Sequence, residues 1–120
     1  MSHRSTPALL HDPLHHAKRI GDVRAKHATR EAFVMDRTST EAVLWNLIVL
    51  GEVCKRLGEP FHEQNPRLPW RSIIAQRNVL AHGYDIVDWN IIADVVENDI
   101  PVLIVEAAKL LSAYGAPPTA

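Results

Sequence analysis

The chain has one cysteine, Cys54, in 120 residues. No intramolecular disulfide can staple it, and so sparse a use of cysteine points to a reducing compartment. Hairpin punctuation is also missing. No Asn-Gly or Asp-Gly pair occurs, and no segment alternates apolar and polar residues between turns, which argues against a sheet. The apolar run from Val43 to Gly51 is broken by Asn46 and is far too short to cross a bilayer. No charged start leads through an apolar middle to a small-residue cleavage site, so no signal peptide is expected and a cytoplasmic location is the default. Charge of one sign is lacking too. Thirteen Lys and Arg stand against fourteen Asp and Glu, a formal net charge of -1, without the strongly basic balance that usually marks nucleic-acid binding.

The neutral total hides an uneven distribution. Residues 1–84 hold 12 basic and 8 acidic side chains, net +4, whereas residues 85–120 set Lys109 against Asp85, Asp88, Asp94, Glu97, Asp99 and Glu106, net -5. A basic body therefore precedes an acidic C-terminal segment, and a polarised surface is expected, with any RNA site on its positive side. Apolar residues at 47% and charged residues at 22% are ordinary for a soluble domain. The length suits one domain with one core.

What is present is helix. Asp12-Pro13 reads as a capping acid followed by proline at the first helical position, opening a helix to about Phe33. Its stripe is Leu14, Ala17, Gly21, Ala25, Ala28 and Ala32, with Ile20 at the edge. Thr38 and Glu41 form a capping box ahead of a second helix, Ser39 to about Leu57, ended by Gly58. Val43, Leu47, Leu50, Cys54 and Leu57 line one face of it. Leu44, Trp45 and Ile48 widen that face, so this helix is expected at the centre of a bundle or against another chain. Residues 58–69 read as a turn-rich connector. A third helix is expected from Pro69 or Trp70 to about His82, stopped by Gly83. A fourth runs from Asp88, its cap, to about Ala113, kinked or split by Pro101. The fold class is all-α, an antiparallel four- to five-helix bundle over residues 12–114, with tails at 1–11 and 115–120.

The segment with the most chemistry is Arg77-Asn78-Val79-Leu80-Ala81-His82-Gly83-Tyr84. Asn78 and His82, four apart, share a helix face. Arg77 and His82 lie about 140° apart around the axis, so they converge only if Arg77 reaches round, the last turn distorts, or a second chain contributes. RNA cleavage without metal needs a base for the 2′-OH proton, an acid for the leaving oxygen and a cation for the crowded phosphoryl charge. Histidine can serve as base or acid near neutral pH. Arginine stays charged and grips phosphate oxygens with two donors. Spacing alone leaves a plainer reading open, because Arg and His at a helix C-terminus commonly complement the helix dipole.

Arg77 to Tyr84 matches the pattern R-x-x-x-x-H-x-Y. Three further groups accompany it in order: Ala42 to Leu47 with Leu50-Gly51-Glu52-Val53, Pro69-Trp70 leading to Arg77-Asn78, and Val87-Asp88-Trp89 with Asn98-Asp99-Ile100-Pro101. In this set the chain resembles the HepT-like toxins of the HEPN superfamily from about Asp12 to Leu111. The resemblance implies a metal-independent endoribonuclease that needs no cofactor and acts on RNA as the toxin of a toxin–antitoxin pair. It implies that Arg77 and His82 are catalytic and that Asn78 is an accessory residue. A homodimer would bring two motifs to a shared cleft. A nucleotidyltransferase antitoxin would transfer AMP to Tyr84, a bulky anion placed beside a phosphate-binding arginine. A second reading, a non-catalytic helical subunit that docks on a nucleotidyltransferase and helps hold nucleotide, uses Arg77 and His82 as phosphate contacts only.

Other polar residues have plainer expected roles. Glu52 follows Gly51 inside an apolar helix, where a structural ion pair, with Arg77 as one candidate partner, is the expected role. His11, His15 and His16 lack a Cys or second cluster to complete a metal site, so no metal is expected. Trp45, Trp70 and Trp89 are expected in the core rather than stacked on bases. The basic stretch Arg4 to Lys26 reads as a solvated helix face.

Overall fold

The computed structural model describes residues 6–113, apart from the side chains of residues 6–9 and of Tyr84. Residues 1–5 and 114–120 lie outside the described residues; of the tails expected at 1–11 and 115–120, residues 6–11 are helical instead, being the first turns of the opening helix. Among the described residues seven α-helices follow in order: α1 (Thr6–Ala25), α2 (Arg30–Met35), α3 (Arg37–Leu57), α4 (Glu59–Gln64), α5 (Trp70–His82), α6 (Trp89–Asp94) and α7 (Ile100–Ala113). A 3₁₀ turn, Tyr84–Ile86, precedes α6, and a π-helical turn, Val95–Asp99, joins α6 to α7. The all-α bundle expected from the sequence is what forms, and no strand occurs among the described residues.

Helix α3 is its centre, packed against α1 on one side and α5 on the other, with α7 closing over α1. The apolar stripe of α3 accounts for this. Val43, Leu47, Leu50 and Cys54 are fully buried. They meet Leu10, Leu14, Ala17 and Ile20 of α1, Ile73 and Leu80 of α5, and Leu103, Ala107 and Leu111 of α7 in one continuous core. Asn46, the residue that interrupts the apolar run, is 4% exposed. It accepts a 2.8 Å hydrogen bond from His16 Nδ1 across the α1–α3 seam and donates to the Ala42 carbonyl, so a buried polar group is satisfied on both sides. Burial also pushes the Cys54 thiol up to about 12, leaving it an inert core residue.

Four expectations are corrected here. Helix α1 begins at Thr6, and Pro13 lies inside it rather than at its start. Leu10, one turn before the proline, is completely buried; burying a leucine is worth about 1.5–3 kcal/mol, comparable to the roughly 3 kcal/mol that an interior proline costs. The first helix also stops at Ala25. Residues 26–29 break it, Arg24 Nη1 donates to the His27 carbonyl, and Thr29 caps α2 by accepting from the Ala32 N–H. Ala25, Ala28 and Ala32 are therefore exposed, and the inward stripe is carried by Leu10, Leu14, Ala17 and Ile20 instead.

The cap of α3 is Asp36, not Thr38. Thr38 and Glu41 sit inside the helix, while the Asp36 carboxylate accepts from Ser39 Oγ at 2.8 Å. That bond, with His27 nearby at 3.3 Å, holds the Asp36 carboxyl below the usual carboxylate range. Finally, Trp45 is 66% exposed, not in the core, whereas Trp70 is buried and Trp89 packs half-buried against it.

The last helix behaves as its proline requires. Asp88 caps α6, its carboxylate accepting from the N–H groups of Asn90 and Ile91. Pro101 has no N–H to give, and just upstream the ladder widens to a π turn in which the Ile100 N–H reaches the Val95 carbonyl. Part of the acidic segment is paired with the basic body of the chain. Arg30 bonds both Asp94 (2.7 Å) and Glu97 (3.0 Å), and Arg24 bonds Glu97 (3.1 Å). Two of the six acidic side chains of the last segment are thus paired with the basic body at this seam. No helix among the described residues is long and apolar enough to cross a membrane.

Candidate functional site

Helix α5 carries the site. It runs unbroken from Trp70 and ends where expected, at Gly83, whose φ of 153° suits glycine. A side chain there would also collide with the Asp85 carboxylate, 2.7 Å from the added Cβ. The start of α5 is anchored by Trp70. Its indole N–H donates to the Asn65 carbonyl at 2.8 Å, and its ring stacks on His62 at 4.6 Å. His62 in turn bonds the Cys54 carbonyl, so the connector is pinned through short helix α4. Ser72, in the first turn, donates to Asp99 of the π turn at 2.6 Å. The start of the helix that presents the motif is therefore fixed by neighbours from elsewhere in the chain.

The helix has two faces. Ile73 and Leu80 are buried, and Arg77 lies between them on the same inward side, 24% exposed at its side chain. Arg71, Ala75, Asn78 and His82 form the outer stripe and are exposed. Arg77 thus approaches the site from the core side. It can do so because α3 presents Gly51 at the crossing, where an added Cβ would stand 2.2 Å from Arg77 Cβ and 2.7 Å from its Cγ.

The guanidinium is held on two edges. Nη2 donates to Glu52 Oε1 on α3, which is the ion-pair partner that Glu52 was expected to find. Nη1 donates to Asn78 Oδ1 at 2.9 Å in an exposed position. Nε is buried and has no hydrogen-bond partner among the described residues.

The structure therefore brings Arg77 and Asn78 together and adds Glu52. It does not hydrogen-bond His82 to any of them. His82 is exposed, one turn beyond Asn78 on the outer stripe, and bonds no other described residue. Helix α5 keeps its regular path to its end, so the last turn does not distort to close that gap. Tyr84 opens the 3₁₀ turn directly after Gly83, and its side chain lies outside the described residues.

A groove of ≈ 890 Å³ runs along the outer stripe between α4 and α5, with His62, Trp70, Arg71 and Asn78 among its walls. A second, apolar groove of ≈ 590 Å³ lies between α2, α3 and α6, where Met35 and Trp45 stand exposed beside Trp89. His15 and His16 meet edge to face at 5.3 Å. Among the described residues no three His, Cys, Asp or Glu side chains are grouped as a metal ion would need. Sequence reasoning did not foresee the part played by Gly51; the only signal was a glycine interior to a strongly apolar helix.

Comparison with known proteins adds the following. The model of the family described as Ribonuclease HepT-like matches residues 14–110. The chain is 32% identical to "Putative RNase MJ0127" of Methanocaldococcus jannaschii, over 92% of this chain and 91% of that protein. It is 33% identical to "Putative RNase TTE0752" of Caldanaerobacter subterraneus, over 73% and 79% of the two chains. Against "Probable ribonuclease HepT" of Thermococcus cleftensis it is 34% identical over 61% of this chain and 66% of that protein. No solved structure matches the chain.

Proposed function

Because the chain belongs to the ribonuclease HepT-like family, we propose that it cleaves RNA endonucleolytically without metal and that this activity makes it the toxin of a toxin–antitoxin pair. The observation that carries the reading is the placement of the motif. Arg77 is fixed at the α3–α5 seam with Nη1 turned to an exposed edge, and His82 stands free on the same helix.

A phosphodiester lying along the outer stripe meets a permanent cation at Arg77, which stabilises the charge that gathers on the phosphoryl oxygens as the 2′-oxygen attacks. His82 takes the 2′-OH proton or returns one to the leaving oxygen. Asn78 orients phosphate or imidazole. One histidine supplies only one of the two proton transfers, and a second copy of the chain, with its motif across a shared cleft, supplies the other.

Regulation follows from the same chemistry. A nucleotidyltransferase antitoxin that places AMP on Tyr84 sets an anion two residues from His82, where it competes for Arg77 by charge and blocks the strand by size.

The test is direct. Purified wild type, Arg77→Ala and His82→Ala are incubated with RNA in the presence of chelator, and cleavage ends are mapped. Wild type is expected to cut and both variants to lose cutting while circular dichroism and melting stay close to wild type. An RNA whose scissile nucleotide is 2′-deoxy should resist. Wild type that leaves every RNA intact, with chelator and without, would defeat the reading.

A further inference from the structure

We propose that Glu52 is a positioning residue for the cleavage: it grips Arg77 by Nη2, leaving Nη1 as the edge that takes the phosphate, and Asn78 Oδ1 holds Nη1 until the phosphate arrives. The proposal rests on the ribonuclease reading and deepens it.

The geometry leaves the guanidinium few choices. A phosphate binds arginine through two neighbouring donors or through one Nη edge. Nε is buried and closed to an incoming oxygen. Nη2 is committed to Glu52. Only the Nη1 edge is exposed, and its present partner is the neutral amide oxygen of an exposed asparagine. Replacing a neutral acceptor with an anionic one strengthens the bond about twofold, so the exchange favours the phosphate. Glu52 cannot be exchanged on the same terms, because it is itself an anion and sits in the more buried contact.

A purely structural role explains the pair less well. Both side chains are partly exposed, 24% for Arg77 and 38% for Glu52. Pairs of that kind contribute little to stability. The crossing of α3 and α5 is already fixed by Gly51 and by buried Ile73 and Leu50. Without Glu52, Arg77 keeps a long side chain with no fixed partner on its inner edge, and the fork swings.

The experiment uses the full chain, a short cleavable RNA and its 2′-O-methyl analogue, which binds but cannot be cut. Cleavage by wild type and its loss in Arg77→Ala come first; an Arg77→Ala protein that cuts like wild type overturns the ribonuclease reading and this proposal together. With that established, Glu52→Ala is expected to lower kcat by about 10- to 100-fold, the range for a misplaced catalytic group, with KM changed less than about threefold. Glu52→Gln, which keeps shape and an acceptor, should fall between, and its melting curve shows that the fold is retained. On the 2′-O-methyl RNA, Glu52→Ala should change binding by less than about threefold, in keeping with the small change in KM, and should have no further effect in an Arg77→Ala background, because its influence passes through that side chain. Full kcat in both Glu52 variants, beside a dead Arg77→Ala, overturns the proposal alone. So does faster cleavage with tighter binding in Glu52→Gln, which would make Glu52 a brake on RNA binding instead of a support.

Discussion

Replacing Gly51 with alanine tests the packing that presents the site. The new methyl would stand 2.2 Å from Arg77 Cβ, 2.7 Å from its Cγ and 3.4 Å from the Ile73 carbonyl. Carbon atoms rest at roughly 3.5–4.0 Å, so α3 and α5 must part by about 1.5 Å at the crossing. Cβ atoms are fixed to their backbones, and no rotamer change relieves the clash. Overpacking of this kind costs about 1–3 kcal/mol. Against it stands the gain of alanine over glycine inside a helix, about 0.5–1 kcal/mol. The difference is a loss of about 0–2.5 kcal/mol, and because both Cβ atoms are fixed to backbone the expectation lies in the upper half of that range, a fall in Tm of roughly 4–10 °C for a domain of this size. Activity should suffer more than stability, because the displaced residue is Arg77 itself. Urea denaturation of Gly51→Ala and wild type, with RNA cleavage measured well below both melting temperatures, checks both parts. A variant as stable as wild type, or more stable, would show that the seam yields freely and that the close approach of the helices is not what places Arg77.

Two further predictions concern the rest of the bundle. The Glu97 carboxyl is held below its ordinary value of 4.5, chiefly by its hydrogen bond from Arg30 and then by that from Arg24. A lowered carboxyl contributes stability above its unfolded pKa and loses it as pH falls through the folded one. Urea midpoints of wild type and Glu97→Gln should therefore differ at pH 7 and converge in acid below that ordinary value, and added salt should narrow the neutral-pH gap because both side chains are partly open to solvent; parallel curves across the whole range would contradict the assignment. Asp88→Ala removes a carboxylate that accepts from two N–H groups at the start of α6. It should cost about 0.5–2 kcal/mol in chemical denaturation, with cleavage per folded molecule unchanged, and no loss at all would mean that solvent satisfies those groups equally well.

Much of α5 was legible in advance, since Trp70 to His82 is bounded by residues whose backbone chemistry is local. Gly83 accepts a φ that other residues avoid, and the motif spacing sets which side chains share a face. The apolar periodicity of α3 likewise foretold a central helix, because four fully buried side chains on one stripe need partners on more than one side. The first forty residues misled for the opposite reason. Asp12-Pro13 and Thr38-x-x-Glu41 are good local start signals, yet the burial of Leu10 carries α1 through Pro13, and the bond between Ser39 and Asp36 moves the start of α3 upstream. Trp45 shows the limit of periodicity: it widens the apolar stripe in sequence and stands 66% exposed in the fold.

The sequence by itself determined the helical class, the order of the long helices, the one face of α3 that had to be buried, and the residues from which an RNA-cleaving motif could be made. Those properties depend on spacing along the chain and on backbone preferences, which act within a few residues. Tertiary structure decided what the motif touches. Glu52 lies 25 positions from Arg77, and the seam that joins them exists only because Gly51 lets two helices approach. In the same way, Asp94 and Glu97 of the acidic C-terminal segment meet Arg24 and Arg30 of the basic one, a pairing across more than sixty positions. Pairings of this kind follow from how whole helices fill a common core, and short-range spacing carries no record of them.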